Sequence, residues 1–303
     1  MKKFFVIAAG LILSVAALAQ SKDIEYNYSN FTKIVAGNDF EVTLVTNGDT
    51  YKISLQVEAP YADYVSAGVK NGALEMSLDE KGVPSEVKKQ YKGRNPIFKA
   101  VVTMPVPPQE ISLSDKASLT TVYPLELVNS LTINATDNAV VKPMTVSGQL
   151  LYLNLDKKAS VDVTYKEGTK VTLNGSGYSK ANLSAECSEV EVAINAGAET
   201  TLKCEAEKLD YIAKGTSKSV INGSAEFAGF TVTGTANVNA INLETPEADV
   251  AMNGLCSLSV AATDFVKANV TGGANLTFNN TPSFEIVNVK NSSIQPYTVK
   301  EKK

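Results

Sequence analysis

Between Ile111 and Phe278, short runs of alternating apolar and polar residues return every 18 to 21 residues. Taking the third residue of each run as a marker gives Leu113, Ile133, Leu153, Leu173, Ile194, Ala213, Val232, Met252 and Val270. In a run such as Leu131-Thr-Ile133 or Val171-Thr-Leu173, period two sends one set of side chains inward and the other outward, so each run predicts a short strand. A second strand follows, as in Val161-Asp-Val163, Ala181-Asn-Leu183, Val238-Asn-Ala240 and Leu258-Ser-Val260, and a third face is less regular, as from Val140 to Met144. A period near 20 without helical spacing predicts an all-β chain wound as a single-stranded parallel β-helix (β-solenoid), one coil per repeat. A lone coil cannot bury its apolar side, whereas stacked coils share one core. The competing β-sandwich also has many short strands but needs no common register.

The residues after the markers are Ser114, Asn134, Asn154, Asn174, Asn195, Lys214, Thr233, Asn253 and Thr271. Five are Asn, which tolerates left-handed backbone and, stacked at about 4.8 Å, can hydrogen-bond in a ladder. Small residues follow at Gly175, Ala196, Gly215, Gly234, Gly254 and Gly272, predicting a corner at the end of one strand. Residues 20–110 differ. Phe40 to Leu44 and Tyr51 to Val57 alternate around Thr46-Asn-Gly-Asp49, and Asn71-Gly72 marks a second hairpin. This segment is expected to cap the solenoid or lead into it, residues 111–280 to form the coils, and 281–303 to make a cover and a tail.

The first 19 residues read as a cleaved signal peptide: Lys2 and Lys3, an apolar run from Phe4, and the small-residue site Ala17-Leu-Ala19 before Gln20. An exported chain without a membrane-spanning segment, in the periplasm, on the cell surface or secreted, is the expectation. The chain carries 28 Lys+Arg and 32 Asp+Glu; without Lys2 and Lys3 the balance is 26 against 32, a net −6. Such a charge gives no electrostatic reason to bind nucleic acid. Cys187, Cys204 and Cys256 have no metal-like spacing and read as small buried fillers, with a Cys187–Cys204 bridge as the alternative.

There is no His, which removes Ser-His-Asp and Cys-His machinery and imidazole metal sites. No cofactor motif is present, so no cofactor and no catalytic residue is expected. Arg94, the only Arg, precedes the repeats. Carboxylates are abundant, so a hydrolase-type acid pair is not excluded by inventory. Glu167, Glu186, Glu207, Glu226, Glu244 and Asp264 recur 19, 21, 19, 18 and 20 residues apart. Stacked on successive coils they would form an acidic stripe, read either as a solvated corner or as a shallow divalent-cation site with oxygen ligands.

Phe31-Thr-Lys-Ile34-Val-Ala-Gly37-Asn-Asp-Phe40-Glu-Val42-Thr-Leu44, then Leu74-Glu-Met76, then Val101 to Pro105 leading into the coils, resemble a bacterial family known as putative autotransporter adhesin, head GIN domain. The resemblance implies an exported β-helical protein with no assigned reaction and supplies no catalytic residues. No run of alternating ten-residue stretches follows the solenoid, so self-export through a C-terminal membrane barrel is not expected. The leading expectation is a non-enzymatic, adhesin-like surface whose Thr, Ser, Asn and Lys side chains suit glycans or envelope proteins. A polysaccharide lyase or hydrolase on the same fold and a purely structural envelope protein are the alternatives.

Overall fold

A computed structural model of the protein describes residues 21–28 and 30–298; the expected signal peptide lies outside them. The N-terminal third comprises β1 (Ser21–Asn27), β2 (Lys33–Ala36), β3 (Glu41–Thr46), β4 (Lys52–Glu58), β5 (Val65–Lys70), β6 (Ala73–Leu78), the short helix α1 (Ser85–Gln90) and β7 (Phe98–Met104). The regular stack follows with β8 (Glu110–Leu113), β9 (Ser118–Thr121), β10 (Leu125–Ala135), β11 (Val140–Leu155), β12 (Ser160–Gly175) and β13 (Lys180–Ile194). It continues through β14 (Glu199–Ala213), β15 (Lys218–Gly234), β16 (Asn237–Gly254) and β17 (Ser257–Thr271) to β18 (Asn275–Phe278), β19 (Ser283–Lys290) and β20 (Ser293–Pro296). From β10 onward each strand pairs in parallel with the next coil's strand, and this is a β-solenoid.

One inward column runs Leu74, Ile34, Ile111, Ile133, Leu153, Leu173, Val192, Tyr211, Phe230, Val250, Ala268 and Ile286. All are buried except Ile286. Two residues further along each strand runs a second column, including Leu113, Ala135, Leu155, Gly175, Ile194 and Ala213. The sequence markers straddle the two: Ile133, Leu153 and Leu173 belong to the first, Leu113 and those from Ile194 onward to the second. A slip of two residues keeps every side chain on its face, so alternation alone cannot detect it.

The predicted corner is a column of left-handed residues: Asp115, Asp137, Lys157, Gly177, Ala196, Gly215, Gly234, Gly254 and Gly272 all have positive φ. Gly175, expected there, instead lies on a strand opposite Ile194, and Gly177 turns the corner. A Cβ on Gly177 would come within 2.7 Å of the Lys157 backbone, so the stacked corners are in close contact. Asn134 and Asn154, expected to supply left-handed backbone, are also strand residues.

The two ends are built differently. β2 pairs with β6 on one side and β8 on the other, and β3 likewise with β7 and β9. The chain therefore lays β6 and β7 beyond its own first coil, then passes back to continue at β8. Antiparallel strands close that end: β4 on β7, β1 on β4 and β5 on β6. The Phe98 ring packs against Phe40 (5.7 Å) and Tyr61 (5.5 Å). The buried Glu58 carboxylate accepts from the Tyr91 hydroxyl at 2.8 Å and the Ile97 amide at 3.3 Å. At the other end, β19 and β20 pair with β17 and β18, so residues 283–296 add a further coil where a cover was expected.

All three cysteines are free. Cys187 stands in register with Ala206 and Cys204 with Ala185, so the alternative bridge is not formed. Burial pushes the Cys187 and Cys204 thiols up to about 11 and about 12, as suits packing residues.

Candidate functional site

The expected acidic stripe separates into two lines. Glu186 lies directly opposite Glu205, a carboxylate the spacing did not include, and the line continues through Ser224 to Glu244. Glu207 and Glu226 sit two residues further along their strands, and the Ser188 hydroxyl reaches Glu207 at 3.5 Å. Glu167, with positive φ, stands at a register irregularity between Tyr165 and Gly168. Five of the six expected residues line one shallow groove; Asp264 is not among its walls. Within it Glu205 is paired with Lys203 at 2.9 Å.

The carboxylates that converge lie on another face. Oxygens of Glu189, Glu191 and Asp210 come within 4.8 Å of one another. Their spacing follows from the coil: Lys170, Glu189 and Lys208 are successive in register, as are Thr172, Glu191 and Asp210. Lys170 lies 2.6 Å from Glu191 and 3.3 Å from Glu189, and Lys208 lies 2.6 Å from Asp210. The Glu191 hydrogen bond holds the Lys170 ammonium above its ordinary range, and Asp210 does the same for Lys208. Stacking at about 4.8 Å would set like charges against each other, and the interleaved lysines offset this.

This charged group lies along a lane of outward side chains. On its N-terminal side is an amide ladder: Asn174 donates to Asn154 at 3.0 Å, Asn154 to Asn134 at 2.9 Å, and Asn134 to Glu110 at 3.2 Å. Lys33, 2.7 Å from Glu110, closes the ladder and holds that carboxyl below its usual range. Beside it runs the column Thr132, Tyr152 and Thr172, which leads into Glu191 and Asp210. Next in that column is Gly229, then Asp249. A Cβ on Gly229 would approach Asp210 Oδ1 to 2.9 Å, so its absence opens a depression walled by Glu191, Asp210, Phe227, Thr231 and Asp249. Tyr211 and Phe230 are core, whereas Phe227 is half-buried and turned to the outer face. Sequence reasoning found the Asn ladder and missed this depression. Its signal, a lone Gly between two Asp on successive coils, emerges only once the register is known.

The stacked parallel coils, the built cap and the laddered outer face define the class as a β-solenoid with long, repetitive outer surfaces. The chain belongs to the family described as “Putative auto-transporter adhesin, head GIN domain”, whose model matches residues 30–142 and again 128–282. Solved structures of similar fold include a putative adhesin from Parabacteroides merdae, 16% identical, covering 92% of this chain and 97% of that one with a TM-score of 0.46. A putative lipid binding protein from Parabacteroides distasonis is 14% identical, with coverage of 92% and 97% and a TM-score of 0.44. No curated protein sequence matches the chain. No helix among the described residues is long and apolar enough to cross a membrane.

Proposed function

We propose that the protein is exported and acts as a non-enzymatic, adhesin-like binding module for a glycan on the face that holds the Asn ladder and the Gly229 depression. The carrying observation is the continuity of that face. Ladder amides, threonine hydroxyls and carboxylates lead into a concavity with one partly exposed aromatic, the mix of apolar wall and convergent polar groups that a polyhydroxylated ligand needs. The basic N-terminal segment with its Ala17-Leu-Ala19 site supports export, and the adhesin-type family supports a surface role. The closest carboxylates are each engaged by a lysine, which favours binding over acid–base chemistry.

The test is a glycan array on the mature chain, with every bound glycan then assayed for cleavage. Binding without cleavage, reduced at least about tenfold by Phe227→Ala or Asp249→Ala with unfolding unchanged, is expected. Cleavage would assign the fold a polysaccharide-degrading role. Silence in both assays would favour a structural one.

A further inference from the structure

Among the described residues the stack of coils ends at β19 and β20. Among the described residues nothing pairs with the outer edge of β19 or β20, so a full row of backbone amides and carbonyls faces outward. The core ends there too. Phe284, Ile286 and Val289 stand in register with Val266, Ala268 and Val270 of the coil beneath, which are fully buried. Yet Ile286 is 58% and Val289 41% exposed, and Val287 beside them 54%. A soluble β-sheet rarely leaves a long apolar edge bare, because such an edge templates further pairing.

We propose that two copies of this chain join end to end through β19, antiparallel about a two-fold axis, with Glu285 of one copy opposite Lys290 of the other. The charges of the strand select this pairing. Antiparallel partners on identical strands keep a constant sum of residue numbers, so setting Glu285 against Lys290 also sets Ile286 against Val289 and Val287 against Asn288. The faces agree with this register. Glu285 and Lys290 align with the outward Lys267 and Thr271, whereas Ile286 and Val289 align with the inward Ala268 and Val270. The irregularity at Val287, an extra residue relative to β17, puts Ile286 and Val289 on the same face although they differ in parity. Each apolar pair would therefore extend the core across the junction, while two symmetry-related Glu–Lys pairs lie outside it. Among the described residues Glu285 has one ion pair, a long one to Lys267 at 3.9 Å.

The experiment is sedimentation and native mass spectrometry on the mature chain and on Glu285→Lys, Lys290→Glu and the double reversal. All sit on exposed positions, and a thermal melt confirms that each folds. The wild type is expected to be a dimer that dissociates on dilution, and each single reversal to raise the dissociation constant at least about tenfold by opposing like charges across the strands. The double reversal restores the dimer, and an equal mixture of the two single variants forms the heterodimer in preference to either homodimer. A wild type monomeric at every concentration overturns the proposal, including the case in which another envelope component occupies the edge. So does a dimer indifferent to the charge reversals.

Discussion

The two ends of this rod solve the same problem in opposite ways. At the N-terminal end the chain folds back over its own first coil, adds the antiparallel strands β1, β4 and β5, and fills the closure with Phe98, Tyr61 and Tyr91. At the other end the described coils stop at β19 and β20, and residues that would be core one level earlier are exposed. Ile34 and Ile286 occupy the same inward column, one with no exposed surface and the other 58% exposed. A solenoid core is thus protected by whatever lies beyond it, since each coil contributes the same shape of side chain wherever it sits.

Deleting the same atoms at both ends tests this difference directly. Ile34→Ala should cost about 2–5 kcal/mol, because a filled site between β6 and β8 is emptied. Denaturant unfolding measures it, and a cost near zero would remove the claim that the folded-back coil is tightly packed. Glu58→Ala should cost about 1–3 kcal/mol, leaving the Tyr91 hydroxyl and the Ile97 amide without an acceptor. Alkaline titration probes the same joint. Burial, then the hydrogen bond to Glu58, pushes the Tyr91 hydroxyl from 10.0 up to about 12. Its folded value is raised, so the stability it supplies is complete below pH 10 and is lost as pH climbs toward 12. The difference between wild type and Tyr91→Phe across that window should shrink accordingly, and a constant difference would rule the joint out. Smallest of all, Ile286→Ala should change unfolding by less than about 0.5 kcal/mol when measured on monomeric chain.

Much of this architecture was legible in the residues, but unevenly. The coil period and the strand pattern could be read because one buried face enforces alternation. The register was off by two at Ile133, Leu153 and Leu173, since period two is blind to that shift. The corner was misplaced at Gly175 because Asp115, Asp137 and Lys157 turn the same corner without glycine. β2 and β3 did not read as a coil, because β4 and β5 separate them from the strands they stack on. The last coil was hidden by the irregularity at Val287, which breaks the alternation within β19. The acidic stripe suffered from the same blindness. Counting along the chain joined Glu186 to Glu207, whereas backbone pairing joins it to Glu205. The Gly229 depression needed three coils aligned at once, which no single stretch of sequence displays.

The close-stacked corner column has a consequence for how such chains lengthen and shorten. Successive corners touch backbone to backbone, whereas differences in coil length are absorbed at irregularities elsewhere, such as Tyr165 to Gly168 and Ala240 to Glu244. A cut from one corner to the next removes one whole storey. Excising residues 177–195 would shorten the rod by about 4.8 Å and bring Ala196 to the place of Gly177, in a conformation it already adopts. Genes for such proteins can therefore grow or shrink by slipped duplication in steps of one coil, adjusting reach without redesigning either end.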